Sequence, residues 1–138
     1  MFDECLYFNT TCLARQLERE WTVAFKPFDL TPPQAFMLRA VLRSPGLLQH
    51  ELADRLDIAR PTATRAIDGL VKKDLIERRS TTADRRESAI YPTAAAEALQ
   101  AALDAASGAV TARLKRLLGD GHFREVVKQV KGVHAALK

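Results

Sequence analysis

The chain has 138 residues, 47% of them hydrophobic and only 7% aromatic, with a formal charge of +4; this is enough for one small domain or a two-lobed subunit and suits a helical, alanine- and leucine-rich protein. No hydrophobic run approaches the roughly 20 residues of a membrane span, and the acidic start with Asp3 and Glu4 is unlike a secretory leader, so a cytoplasmic protein is expected. Two cysteines do not make a disulfide framework, and His50, His122 and His134 have no ligand spacing, so neither a metal nor a cofactor is expected.

The first predicted helix covers residues 3–25. Leu6, Leu13, Leu17, Trp21 and Phe25 fall along one stripe, and Cys5, Phe8 and Cys12 form a second. Two apolar stripes imply two buried contacts, one with the subunit's own core and one with a partner subunit. Residues 26–30 form a connector. Thr31, Pro32, Pro33 and Gln34 then have the spacing of a capping box with proline in the first turn, so a second helix starts at Pro32. Phe36, Leu38, Val41 and Leu42 are its apolar residues, and Ser44, Pro45 and Gly46 end it.

Residues 48–92 are the stretch around which the chain is organised. Leu48, Leu52 and Leu56 recur at intervals of four, Asp57, Ile58 and Ala59 interrupt the pattern, and Ala63, Ile67 and Leu70 mark the buried stripe of another helix. Two helices joined by so short a turn have the geometry of a helix-turn-helix, whose second helix reads base edges in the major groove. Arg60, Pro61, Thr62, Thr64 and Arg65 occupy its exposed N-terminal end, with Asp68 and Lys72 further along the same face. Arginine can bond guanine bidentately, and threonine can hydrogen-bond a base or touch a thymine methyl. A solvated helix face is the plain alternative for these residues. Next come two short strands, residues 75–79 and 88–91, around a polar loop that holds Asp84, Arg85 and Arg86. Such a basic hairpin is a wing, whose tip can reach the minor groove. Between residues 60 and 86 eight basic residues face four acidic ones, so the chain's positive excess lies where a phosphate backbone would run. Lys72, Lys73, Arg78 and Arg79 are expected to contact phosphate or attract it from a distance.

Thr93 is a plausible cap for a long helix to Leu118, with Gly108 as a weak spot inside it. Gly119, Asp120 and Gly121 break the chain, and Asp120 is expected to cap a last helix over residues 122–137, whose Val126, Val127, Val130, Val133 and Leu137 are more than it can bury alone. These patterns imply a mainly α fold with a small β-hairpin: a winged helix-turn-helix lobe at residues 31–92, flanked by a helical dimerisation lobe from residues 1–30 and 93–138.

The sequence ELADRLDIARPTATRAIDGLVKKDLIERR, followed by DRRESAIYPT, resembles the helix-turn-helix and wing of the MarR family of transcriptional regulators. That resemblance implies a homodimer on a pseudo-palindromic operator of double-stranded DNA, usually acting as a repressor. It also implies that Arg86 enters the minor groove while Asp84 braces a neighbouring arginine. Pro92, Ala96, Asp74 and Leu48 depart from the family pattern, and Asp74, standing at the turn glycine, needs a left-handed backbone. The family often binds phenolic carboxylates, which makes Trp21, Phe25, Phe36 and Arg39 candidates for the pocket of a small aromatic or anionic effector; the same residues pack a core equally well. One branch of the family places a reactive cysteine in its first helix, so Cys5 and Cys12 are redox candidates beside their plainer reading as buried residues at a dimer seam.

An enzyme finds no support: the chain contains no GxxxxGK[ST], GxGxxG or GxSxG segment and no paired His-Glu metal motif. A winged-helix adaptor that binds protein rather than DNA is the alternative, and it predicts a neutral or apolar face in place of the threonines and arginines.

Overall fold

The computed structural model describes residues 1–81 and 86–138. Helix α1, Leu6–Phe25, starts three residues later than its apolar pattern suggests, because Cys5 is extended and its sulfur accepts the Phe8 N–H at 3.5 Å as a cap. A single 3-10 turn, Lys26–Phe28, follows, and left-handed Asp29 redirects the chain. Helix α2, Pro32–Arg43, has the expected capping box: Thr31 Oγ1 accepts from Gln34 N at 3.3 Å, and Gln34 Oε1 accepts from Thr31 N at 3.2 Å. Ala35, Met37, Leu38, Val41 and Leu42 bury one broad face of α2, which packs against α1 and most of the elements described below.

Helices α3, Gln49–Leu56, and α4, Arg60–Lys72, complete the helix-turn-helix. Only half a capping box starts α3, since Leu48 has no acceptor and Glu51 Oε1 alone closes it, taking the Leu48 N–H at 3.0 Å. Both helices end in the same way. Asp57 and Asp74 are left-handed, with φ 54° and 57°, and each is followed by a backbone bond that reaches back five residues: Ile58 N to Ala53 O at 3.0 Å and Leu75 N to Leu70 O at 3.1 Å. These are Schellman turns with aspartate in the position glycine usually takes.

Strands β1, Ile76–Ser80, and β2, Ser88–Pro92, pair antiparallel with Ile76 opposite Pro92 and Ser80 opposite Ser88. The sequence gives no sign of a further pairing on the other edge of β2, where Gly46 N donates to Ile90 O at 2.8 Å, Ile90 N donates to Leu47 O at 2.9 Å, and Leu48 bridges Ala89. Gly46 is required there twice over: its φ is +90°, and a Cβ would lie 3.0 Å from the Tyr91 hydroxyl. The hairpin is thereby stitched to the start of α3.

Helix α5, Ala94–Leu118, begins at Thr93, whose hydroxyl accepts from Ala96 N at 3.3 Å and donates to Asp74 O at 2.7 Å, and it runs through Gly108 without a break. Helix α6, Asp120–Ala136, starts two residues earlier than expected. Gly119, at φ 84°, is its cap; Asp120 lies inside the first turn, where its charge favours the helix dipole but caps nothing. One contiguous core joins Phe25 of α1, the buried faces of α2, α3 and α4, Ile76 and Ile90 of the strands, and Ala96 and Leu103 of α5. No residue of α6 is buried.

Candidate nucleic-acid interface

The exposed end of α4 is held by polar contacts to its neighbours. Gln49 of α3 donates through Nε2 to Thr64 Oγ1 at 2.8 Å, and the same hydroxyl donates to Arg60 O at 3.0 Å. Gln49 Oε1 in turn accepts from Arg78 Nε at 3.4 Å, and the other end of that guanidinium pairs with Asp68. Thr64, Gln49, Arg78 and Asp68 therefore form one chain of contacts across α4, α3 and β1. Among the sequence candidates, Thr64 and Arg78 are joined in this brace, with the Thr64 hydroxyl donor already used. Arg60, Pro61, Arg65 and Lys72 are exposed, and Thr62 is half-buried and accepts from Arg65 at 3.2 Å. Glycine at position 69 lets α4 lie close on α2, where a Cβ would come within 2.5 Å of the Gln34 amide.

The cations after α4 divide by local competition. Lys73 turns inward to donate to the Asp29 carbonyl and lies 3.6 Å from its carboxylate, so it belongs to the fold. Arg79 pairs with Glu77 and stacks 3.9 Å from the Tyr91 ring centroid. The Lys72 side chain is exposed and has no hydrogen-bond or ion-pair partner among the described residues. Asp84 and Arg85 lie outside the described residues. Arg86 is exposed, at the foot of β2, and with Arg60, Gln49, His50 and Thr64 it lines a hollow of about 290 Å³ between α3, α4 and the hairpin.

The four effector-pocket candidates separate. Phe25 is fully buried in the core and meets Phe36 edge-on at 5.9 Å; Trp21 is half-buried against that core, with its indole N–H satisfied by Ser107 at 3.0 Å. Phe36 and Arg39 do line a hollow of about 290 Å³, with Arg43, Arg55, Leu47 and Leu56. Arg39 bonds Asp104 at 2.8 Å and Ser107 at 3.0 Å; Asp104 also lies 4.0 Å from Arg43. Sequence spacing does not reveal Arg43, Arg55 or Asp104 as neighbours, because three helices bring them together. Neither cysteine is buried within the chain: Cys5 is exposed, and Cys12 is half-buried beside the Arg15 guanidinium at 3.4 Å. No described helix is long and apolar enough to cross a membrane.

A helix pair closed by a tight turn, with an antiparallel hairpin braced against the second helix, defines a winged helix-turn-helix protein. Residues 28–87 match the model of the MarR family. That match covers 60 of the 138 residues, from Phe28 through β1 and beyond it. The HTH-type transcriptional regulator YybA of Bacillus subtilis strain 168 is 31% identical over 81 residues, which cover 59% of this chain and 54% of the relative. The chain spans about half the length of the curated relatives it matches. Among solved structures, the transcriptional repressor CouR bound to a 23-mer DNA duplex superimposes with a TM-score of 0.87 at 24% identity, covering 95% of this chain and 93% of that one. The MepR–DNA complex of S. aureus gives 0.86 at 19% identity, covering 96% and 98%. At these identities the two structures show a shared fold.

Proposed function

We propose that this chain is a sequence-specific DNA-binding transcriptional regulator that acts as a homodimer, with α4 in the major groove and the hairpin on the neighbouring minor groove. The observation that carries the reading is the brace: Gln49, Thr64, Arg78 and Asp68 hold α4 by its polar flank while Arg60, Pro61 and Arg65 at its first turns stay exposed. A fixed helix with outward cations is what base reading needs. The fold shared with CouR and MepR, both solved on DNA, supports it.

One such helix covers a few base pairs, so two copies on half-sites about 34–36 Å apart are needed for a specific operator. The helical lobe formed by both chain ends supplies the contact. Leu6, Tyr7, Leu13, Val130 and Leu137 are 63%, 78%, 46%, 55% and 83% exposed, more apolar surface than a monomer leaves in water. The dimer acts as a repressor by occupying a promoter. An anionic aromatic effector releases it from the hollow at Phe36, Arg39, Arg43 and Arg55, whose three guanidiniums line the wall while Asp104 pairs with Arg39 and lies near Arg43. Oxidation at Cys5 or Cys12 is a second route of release. It predicts that peroxide frees DNA from the parent protein and not from one of the two serine variants.

The deciding experiment is a titration against the protein's own upstream intergenic duplex and a scrambled one at several salt concentrations. Preferential binding with a steep salt slope is expected, because neutralised phosphates release counterions. Absence of binding even at low salt would point instead to a winged-helix adaptor for a protein partner.

A further inference from the structure

Among the described residues, helix α6 makes side-chain contacts to other parts of the chain at two places that matter here. One is the Gly119 corner, where Lys115 lies 5.5 Å from the Phe123 ring centroid. The other is polar and distant in sequence: the His134 imidazole pairs through Nε2 with the Asp57 carboxylate, and Lys138 Nζ lies 3.8 Å from the same oxygen. Asp57 is the left-handed residue that turns α3 into α4, and Arg60, three positions on, opens α4. His134 also lines the apolar cleft of about 540 Å³ between the first turns of α1 and the last turns of α6, with Leu6, Tyr7, Val130, Val133 and Leu137. One imidazole therefore touches both the apolar helical face and the hinge of the helix-turn-helix.

The pair closes a ring. From Asp57 the chain runs through α4, the hairpin, α5 and α6 and returns to Asp57. Opened at His134, the ring keeps the glycine corner and the looser Lys138 contact, and the angle between α4 and the helical lobe loses its closest restraint. His134 and Asp57 side chains are 59% and 54% exposed, so their pairing adds little to folding stability; its effect is on orientation.

We propose that His134, backed by Lys138, is a positioning residue for DNA reading: through Asp57 it fixes the direction of α4 relative to the α1–α6 face. The inference rests on the reading that α4 binds DNA and that this face joins two subunits, because only then does the angle set the spacing of two α4 helices.

The test uses the whole protein and a duplex that the parent selects from a random-sequence library, together with versions whose half-sites are moved one base pair closer or further apart. In His134→Ala the preference for the selected spacing falls roughly fivefold or more, the lower end of ordinary coupling between sites. Melting temperature and dimer mass stay unchanged. Asp57→Gly, which keeps the left-handed turn and loses the carboxylate, lowers the spacing preference equally, and the double variant is no worse than either, as for two residues that act through one contact. His134→Gln, whose amide can still donate to Asp57, recovers the preference. Additive effects, or an unchanged spacing preference, would overturn the inference. Hydrogen exchange of the amides at 57–64 is a readout independent of DNA: it quickens in His134→Ala, and unchanged rates would overturn the inference by themselves. A parent protein that selects no duplex would instead sink the regulator reading, with the exchange rates still deciding whether His134 holds the turn.

Discussion

Arg78 of β1 and Asp68 of α4 form an ion pair that joins the hairpin to the helix beside it, and Gln49 extends the join to α3. Simple electrostatics and the brace make opposite predictions for Asp68. An exposed carboxylate repels phosphate, so its loss should tighten binding to any DNA. As part of the brace, Asp68 instead keeps α4 and the hairpin in register. The second effect dominates for the specific site: Asp68→Ala is expected to weaken specific binding by about 1 kcal/mol, the upper range for exposed pairs, while binding to a scrambled duplex rises slightly. Parallel titrations against both duplexes measure this. Tighter binding to both would show that the pair is no brace.

Arg86 sits exposed at the foot of β2, on the rim of the hollow shared with Arg60. Arg86→Ala is expected to weaken operator binding strongly and to lower the salt slope by about 1, the loss of one phosphate-neutralising cation. The helical circular-dichroism spectrum and the dimer mass should be unchanged. An unaltered operator affinity would remove the hairpin from the interface.

The parts of this fold that are legible in the sequence are those decided within a few residues. Thr31 with Gln34 and Thr93 with Ala96 are local bonds, and each occurs where the spacing places it. Asp120 shows the limit of the same reasoning. Aspartate is a good cap, yet Gly119 ends one helix and opens the next in a single residue at φ 84°, which leaves Asp120 inside α6. Charge runs mislead in a similar way. Lys73 looks like a phosphate contact until Asp29, 44 residues away in the chain, comes beside it. Trp21 and Phe25 look equally like pocket and core in the sequence; the fold buries Phe25 fully and lays Trp21 against the core with its N–H on Ser107, 86 residues away. His134 and Asp57 are 77 residues apart, and no periodicity pairs them.

Asp74 offers a test of backbone energetics. It holds φ 57° at the end of α4, in a Schellman turn whose bonds are Asp74 N to Val71 O and Leu75 N to Leu70 O, and the bond it accepts from the Thr93 hydroxyl uses its carbonyl, not its side chain. A left-handed conformation costs an L-residue roughly 1–2 kcal/mol, whereas glycine adopts it freely but loses about 0.4–1 kcal/mol through a more flexible unfolded chain. The first effect is larger. Asp74→Gly should raise stability by up to about 1 kcal/mol in thermal or urea unfolding, and Asp74→Val should lower it. A destabilised glycine variant would mean that the Asp74 side chain contributes more than its backbone costs.

Glu20 of α1 pairs with Arg113 of α5, tying the two long helices together beyond the core. The hydrogen bond from Arg113 holds the Glu20 carboxyl below its ordinary value of 4.5; partial desolvation opposes the shift, and the Arg113 charge and a hydrogen bond from Gln16 add to it. A carboxyl lowered on folding stabilises the protein above its unfolded value, and that contribution is lost as pH falls through the folded value. The window therefore lies below about pH 4.5. Glu20→Gln should be less stable than the parent at neutral pH, and the two should converge as the pH is lowered through that window. Arg113→Gln should bring the same convergence by removing the partner. Melting curves collected from neutral pH downward measure it, and a constant gap between parent and variant at every pH would show that the ion pair contributes nothing to the helix contact.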